Sequence, residues 1–198
     1  MKAELARIEA EEGRTFDEIV VKASPFVRTM ATCARICKQI NIENVAIDYD
    51  YCEWLSEYLY TVNPMPLLSM RNKDAATLNT EFDLLDIAFT DNDEGFNLAN
   101  THFVEDKEQG RKRATANINR KMEQTKAQSG KLVADITVSH GFFIDETSRL
   151  MGKEYHDRYC DYCAITSIQM KLNEDGVKVD TKLIGFSNSD HVKTTHAL

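Results

Sequence analysis

Three side chains stand just beyond segments that read as β-strands. Arg28 lies in SPFVRT after FDEIVVKA, Glu53 in CEWL after NVAIDYDY, and His140 in SHG after VADITV. An arginine offers a fork of donors matched to phosphate oxygens, and a histidine adds one more donor. A carboxyl group beside a bound phosphate ester can protonate the leaving oxygen. The three are separated by 25 and 87 residues, so only the fold can bring them together. In an open α/β sheet the loops after parallel strands share one edge, where ligands bind. Each residue also has a plainer reading: Arg28 as the partner of a surface carboxylate, His140 as a satisfied loop histidine, Glu53 as one solvated acid among many. Their joint placement points to an anion site.

The elements that must position them alternate. Residues 2 to 12 read as a helix with Leu5 and Ile8 on one side and Gly13 as its stop. Phe16 to Ala23 read as a short buried strand, followed by the Ser24-Pro25 loop and a helix from about Thr29 to Gln39. A second strand is expected over 44 to 51. From Leu55 to Asn100 the pattern breaks into short pieces, and about 56 to 103 is expected to be an inserted cap. Residues 104 to 128 are highly charged, with Ala114, Ile118 and Met122 as one narrow apolar stripe of a surface helix. A strand ending at Ser139-His140-Gly141 follows, then a helical segment near 147 to 158. Strands at about 163 to 171 and 177 to 186, joined by NEDG, form an antiparallel hairpin. The fold class is therefore α/β, a mainly parallel sheet flanked by helices, in a single domain spanning 1 to 198.

With 198 residues, 42% hydrophobic and 28% charged, the chain can bury a sizeable core. Its 24 basic and 32 acidic residues give a formal charge of -8, which argues against sequence-independent binding of nucleic acid. No apolar run is long enough to suggest a membrane span, and the acidic, amphipathic N-terminus does not resemble a leader, so a cytoplasmic location is expected.

Five cysteines without framework spacing fit a reducing compartment. Cys33 and Cys37 share a helical face with Met30 and Ile40 and read as small buried hydrophobes. Cys160 and Cys163 form a C-x-x-C that could mark a redox pair or half of a zinc site, with His156 as a lone further ligand. No second ligand pair completes such a site, and coincidence at a strand start is the favoured reading. No metal and no cofactor is expected.

Taken in order, SPFVRT, CEWL, ITVSHG and YCAITSIQMKL resemble the histidine phosphatase superfamily, the phosphoglycerate mutase-like fold. SPFVRT is similar to its Ser-Pro-x-x-Arg segment. CEWL is similar to the acid-bearing segment in members akin to the suppressor-of-T-cell-receptor-signalling phosphatases, and ITVSHG to the late strand with the second pocket histidine. The resemblance implies a two-step phosphoryl transfer through a phosphohistidine, with charge clamps stabilising the transferring group. By position it implies that Arg28 binds phosphate, that His140 is the second pocket histidine, and that Glu53 is the proton donor in an active member.

The family's nucleophile lies in an Arg-His-Gly motif on a first strand that precedes the helix read at 2 to 12. In these 198 residues Arg never directly precedes His, so that strand, the nucleophile and its flanking arginines are absent. His102, His156, His191 and His196 match no family position and are expected at the surface. The resemblance places the missing strand centrally, between the strand ending at His140 and the one through Ala164 to Met170. Those two then pair with each other, take in another segment or chain, or leave open edges. Three readings follow. The first to be preferred is a catalytically inactive relative, a pseudoenzyme acting as a binding or structural subunit with a protein partner and at most a phosphate or phosphomonoester ligand. The second is an active phosphomonoesterase whose Arg-His-Gly segment lies upstream or in a companion chain. The third, a thiol module using Cys160 and Cys163, ranks far behind.

Overall fold

The computed structural model describes residues 1–72, 74–91, 103–126, 128, 130–150, 163–173 and 178–188. Helix α1 (Lys2–Glu12) stops at Gly13, whose backbone adopts the left-handed conformation at φ 66°, a region that a Cβ disfavours. Four strands follow: β1 (Glu18–Ala23), β2 (Asn44–Ile47), β3 (Ala88–Asp91) and β4 (Val133–Val138). They form one sheet in the order β3-β2-β1-β4, and every pairing is parallel. Parallel neighbours need crossover connections. Helix α2 (Val27–Ile40) supplies the first, α3 (Met65–Asn72) and α4 (Ala75–Phe82) lie between β2 and β3, and α5 (Lys107–Lys126) leads back to β4. Helix α6 (Gly141–Leu150) leaves the end of β4.

Both faces of the sheet are covered. On one, Val21, Ala23, Val45, Ile47, Phe89 and Ile136 are buried with Met30, Cys33, Ala34 and Cys37 of α2 and with Leu68 and Leu78 of α3 and α4. The face of α2 expected to be buried is therefore buried. The opposite layer is smaller: Ala114 and Ile118 of α5 pack with Tyr51 and Phe143, and Met122 joins them, which is the narrow stripe read from the sequence. Around that stripe α5 docks through charge. Lys121 lies against Asp135 of β4, and Arg120 reaches Asp48 and Asp50.

The second strand is shorter than the sequence suggests. It ends at Ile47, and Asp48 caps a 3-10 turn over Tyr49–Tyr51 by accepting the Asp50 N–H, a local bond that competes with continued strand. The stretch from about 56 to 103 contains α3, α4 and β3, and β3 pairs with β2 at the edge of the main sheet.

Strands β5 (Ile165–Leu172) and β6 (Lys178–Asn188) form the expected antiparallel hairpin, as a separate two-stranded sheet. Ser167 and Gln169 of β5 bond to Glu4 and Glu12 of α1. Strands β4 and β5 do not pair, and among the described residues β4 has a strand partner on its β1 side alone.

Candidate anion site

Strands β1 and β4 are parallel neighbours, yet the helices that follow them belong to opposite layers: α2 to the larger core, and α6, through Phe143, to the smaller. Such a divergence opens a crevice beyond the carboxyl ends of the strands. Ser24 extends the ladder by one bond, its N–H reaching the Val138 carbonyl at 2.9 Å. Pro25 follows and cannot donate. The Thr29 hydroxyl folds the chain into α2 by donating to the carbonyls of Phe26 and Ser24, at 2.6 and 2.9 Å. Arg28 is thereby carried in the first turn of α2. On the other strand, the Ser139 hydroxyl donates to the Tyr51 carbonyl at 2.9 Å, and the His140 carbonyl accepts the Ile144 N–H as α6 begins.

Glu53 lies on a loop with no regular structure, and α5 fixes it. Arg113 donates to the carbonyls of Asp50, Cys52 and Glu53 at 3.1, 3.2 and 3.1 Å. The same guanidinium pairs with the Glu105 carboxylate at 2.7 and 2.9 Å. Glu105 in turn accepts the Leu55 N–H at 2.9 Å, and its carbonyl accepts the Trp54 indole N–H at 3.1 Å. The Trp54 ring stacks on Phe142 with centroids 5.5 Å apart. Gly110 makes room for that stack: a Cβ at this position would lie 2.8 Å from Cζ of Phe142.

These supports bring Arg28, Glu53 and His140 together. Arg28 Nη2 lies 3.1 Å from His140 Nδ1 and 3.4 Å from Glu53 Oε2. Glu53 Oε2 lies 3.3 Å from the same Nδ1. On the far side of the ring, His140 Nε2 is 2.7 Å from Ser24 Oγ. The Phe26 ring forms the floor: the Arg28 guanidinium lies 4.6 Å above it, His140 meets it edge-on at 5.1 Å, and Tyr60 lies 5.8 Å away. His140 and Ser24 are buried at 5% and 0% exposure, whereas the Arg28 side chain is 54% exposed and can meet a solute.

Burial pushes the His140 pKa down, and nearby Arg28 and Arg113 act in the same direction, against the pull of Glu53. The ring is therefore neutral at neutral pH. Burial alone would push the Glu53 carboxyl up, but the neighbouring His140 ring, the Trp54 N–H and the Arg28 charge bring it below its ordinary value. The ligand-free site thus pairs an ionised carboxylate with a guanidinium, and an incoming oxyanion would compete with Glu53 for Arg28.

Sequence reasoning did not assign roles to Ser24, Phe26, Tyr60, Glu105 or Arg113. Ser24 carried a signal, as the residue between a strand end and a proline. Arg113 carried none, because it stands in the run RKR of a helix that reads as solvated. Cys33 and Cys37 are buried with their sulfurs 4.0 Å apart. Cys163 is exposed. Cys160 and the histidines at 102, 156, 191 and 196 lie outside the described residues. Among the described residues no group of three or more His, Cys, Asp or Glu side chains is placed to hold a metal ion, and no helix is long and apolar enough to cross a membrane. No family model and no curated protein sequence matches this chain.

Proposed function

We propose that this chain is a histidine phosphatase-like protein that binds phosphate or a phosphomonoester at Arg28 and His140 and serves as a binding or structural subunit without turnover of its own. The observation that carries the reading is the convergence of Arg28, Glu53 and His140 within 3.4 Å beyond three neighbouring parallel strands. A phosphohistidine mechanism needs a nucleophilic histidine, and the described site has one imidazole, already bonded on both ring nitrogens. The edge of β4 with which no described strand pairs supports the partner part of the proposal, since folded proteins normally cover such edges. An active phosphomonoesterase, with the missing motif supplied by an upstream segment or companion chain and Glu53 as proton donor, is the alternative.

Calorimetric titration with inorganic phosphate tests the reading. Binding is expected, weakened about 10- to 100-fold in Arg28→Ala and in His140→Ala, the range for losing a hydrogen bond to a charged group. No hydrolysis of p-nitrophenyl phosphate is expected from the chain by itself. Turnover that both substitutions abolish favours the alternative, and absence of phosphate binding overturns both.

A further inference from the structure

The neighbours of His140 favour one arrangement of its ring protons. A guanidinium has donors only, so at 3.1 Å from Arg28 Nη2 the Nδ1 atom must accept. The ring proton then sits on Nε2 and is donated to Ser24 Oγ at 2.7 Å. Glu53 Oε2, also an acceptor, faces the same Nδ1 at 3.3 Å. Two lone pairs at that distance are held together by the Arg28 N–H groups, which lie within reach of both. Arg28 is the most exposed of the three side chains and the one an oxyanion would engage. Once it turns to the anion, the acceptors at Nδ1 and Oε2 face each other with nothing between them.

We propose that Ser24 is a positioning residue that fixes His140 as its Nε2–H tautomer, and that anion capture by Arg28 is therefore accompanied by uptake of one solvent proton between His140 Nδ1 and Glu53. This rests on the anion-site reading and adds its proton dependence. The balance is one proton from water, with no bond made or broken in the anion. The charged and polar groups at the ring are Ser24 from the end of β1, Arg28 from α2 and Glu53 from the loop after β2, with Arg113 of α5 acting as a more distant positive charge. The bound anion adds negative charge to this set, which favours the protonated pair. Ser24 matters because its hydroxyl is the partner of a nitrogen that is itself buried. Without it the Nε2 proton has no acceptor, and the ring loses its reason to present Nδ1 bare.

Sulfate serves as probe, because unlike phosphate it does not titrate near neutrality. Nitrogen-15 spectra of the ligand-free protein, with His140 assigned by its absence in His140→Asn, should show the Nε2–H tautomer. Titration with sulfate in two buffers of different ionisation enthalpy should show one proton taken up per anion, and affinity should rise about tenfold per unit fall in pH near neutrality. His140→Asn should bind sulfate more weakly, and without uptake. Ser24→Ala should lose the single tautomer and weaken the pH dependence, and Ser24→Thr should restore both. Sulfate binding without proton uptake overturns the proposal and leaves the anion site standing. An Nδ1–H tautomer in the free protein, or Ser24→Ala indistinguishable from the native chain in spectrum and pH profile, also overturns it. Absence of sulfate and phosphate binding removes the coupling together with the site.

Discussion

His140 and Glu53 make the fold itself sensitive to acid, in two separate ranges of pH. The pKa of buried His140 lies below its ordinary value of 6.5, so between those two values the unfolded chain binds the extra proton. Its contribution to stability is complete above about 6.5 and is lost as pH falls toward the folded value. Glu53 behaves alike from a lower start: its contribution is complete above 4.5 and is lost as pH falls toward its depressed folded value. Urea unfolding between pH 7.5 and 5 is expected to show a decline that His140→Gln reduces and Glu53→Gln leaves in place. A decline unchanged in His140→Gln would mean that the imidazole is not held neutral by burial.

The element that decides where Glu53 sits is α5, although none of its described side chains bonds to the side chains of Arg28, Glu53 or His140 at the candidate anion site. Arg113 and Glu105 clasp the loop from Asp50 to Leu55 with backbone bonds at both ends. Arg113→Met would leave Glu105, 3% exposed, as an unpaired buried charge, at a cost of about 3 to 5 kcal/mol. The double substitution Arg113→Met with Glu105→Leu should lose less than the single change, and phosphate binding should weaken in both because the loop is no longer tied. Equilibrium unfolding of the two variants measures the difference. This clamp explains what sequence patterning can and cannot reach. Strand ends marked by Ser24-Pro25 and Ser139-His140-Gly141 were legible, because a proline and a small-residue turn interrupt apolar runs. The stripe Ala114, Ile118 and Met122 was legible for the same reason, by its helical spacing. Arg113 and Glu105 were not: charge in a charged helix looks like solvation until the tertiary partner is known. The length of β2 was misread because Asp48, a side chain that bonds its own backbone, stops a strand without changing its apolar pattern.

At the scale of the molecule, the four-stranded sheet and the hairpin are separate sheets, and β4 lies at the boundary of the former. The order β3-β2-β1-β4 places the candidate anion site between β1 and β4, at the place where the chain changes direction across the sheet. The site therefore lies beside the strand whose outer side no described residue pairs. Period-two patterning identifies strands and their faces, but pairing between distant strands is set by topology and is not written in either strand alone. That is why the class of fold was readable and the separation of the hairpin was not.

The outer side of β4 has a further consequence for how the backbone meets water. Each residue of a strand turns its N–H and C=O to the same side, and successive residues alternate. The Ser24 N–H takes the Val138 carbonyl, so Ala134, Ile136 and Val138 face β1, and Val133, Asp135 and Thr137 face away. Deuterium should enter β4 in a comb, slow at Ala134, Ile136 and Val138 and fast at Asp135 and Thr137, an alternation that a strand paired on both sides cannot show. The fast teeth of that comb are also a reporter: any chain that docks along β4 should slow them while leaving the others as they were.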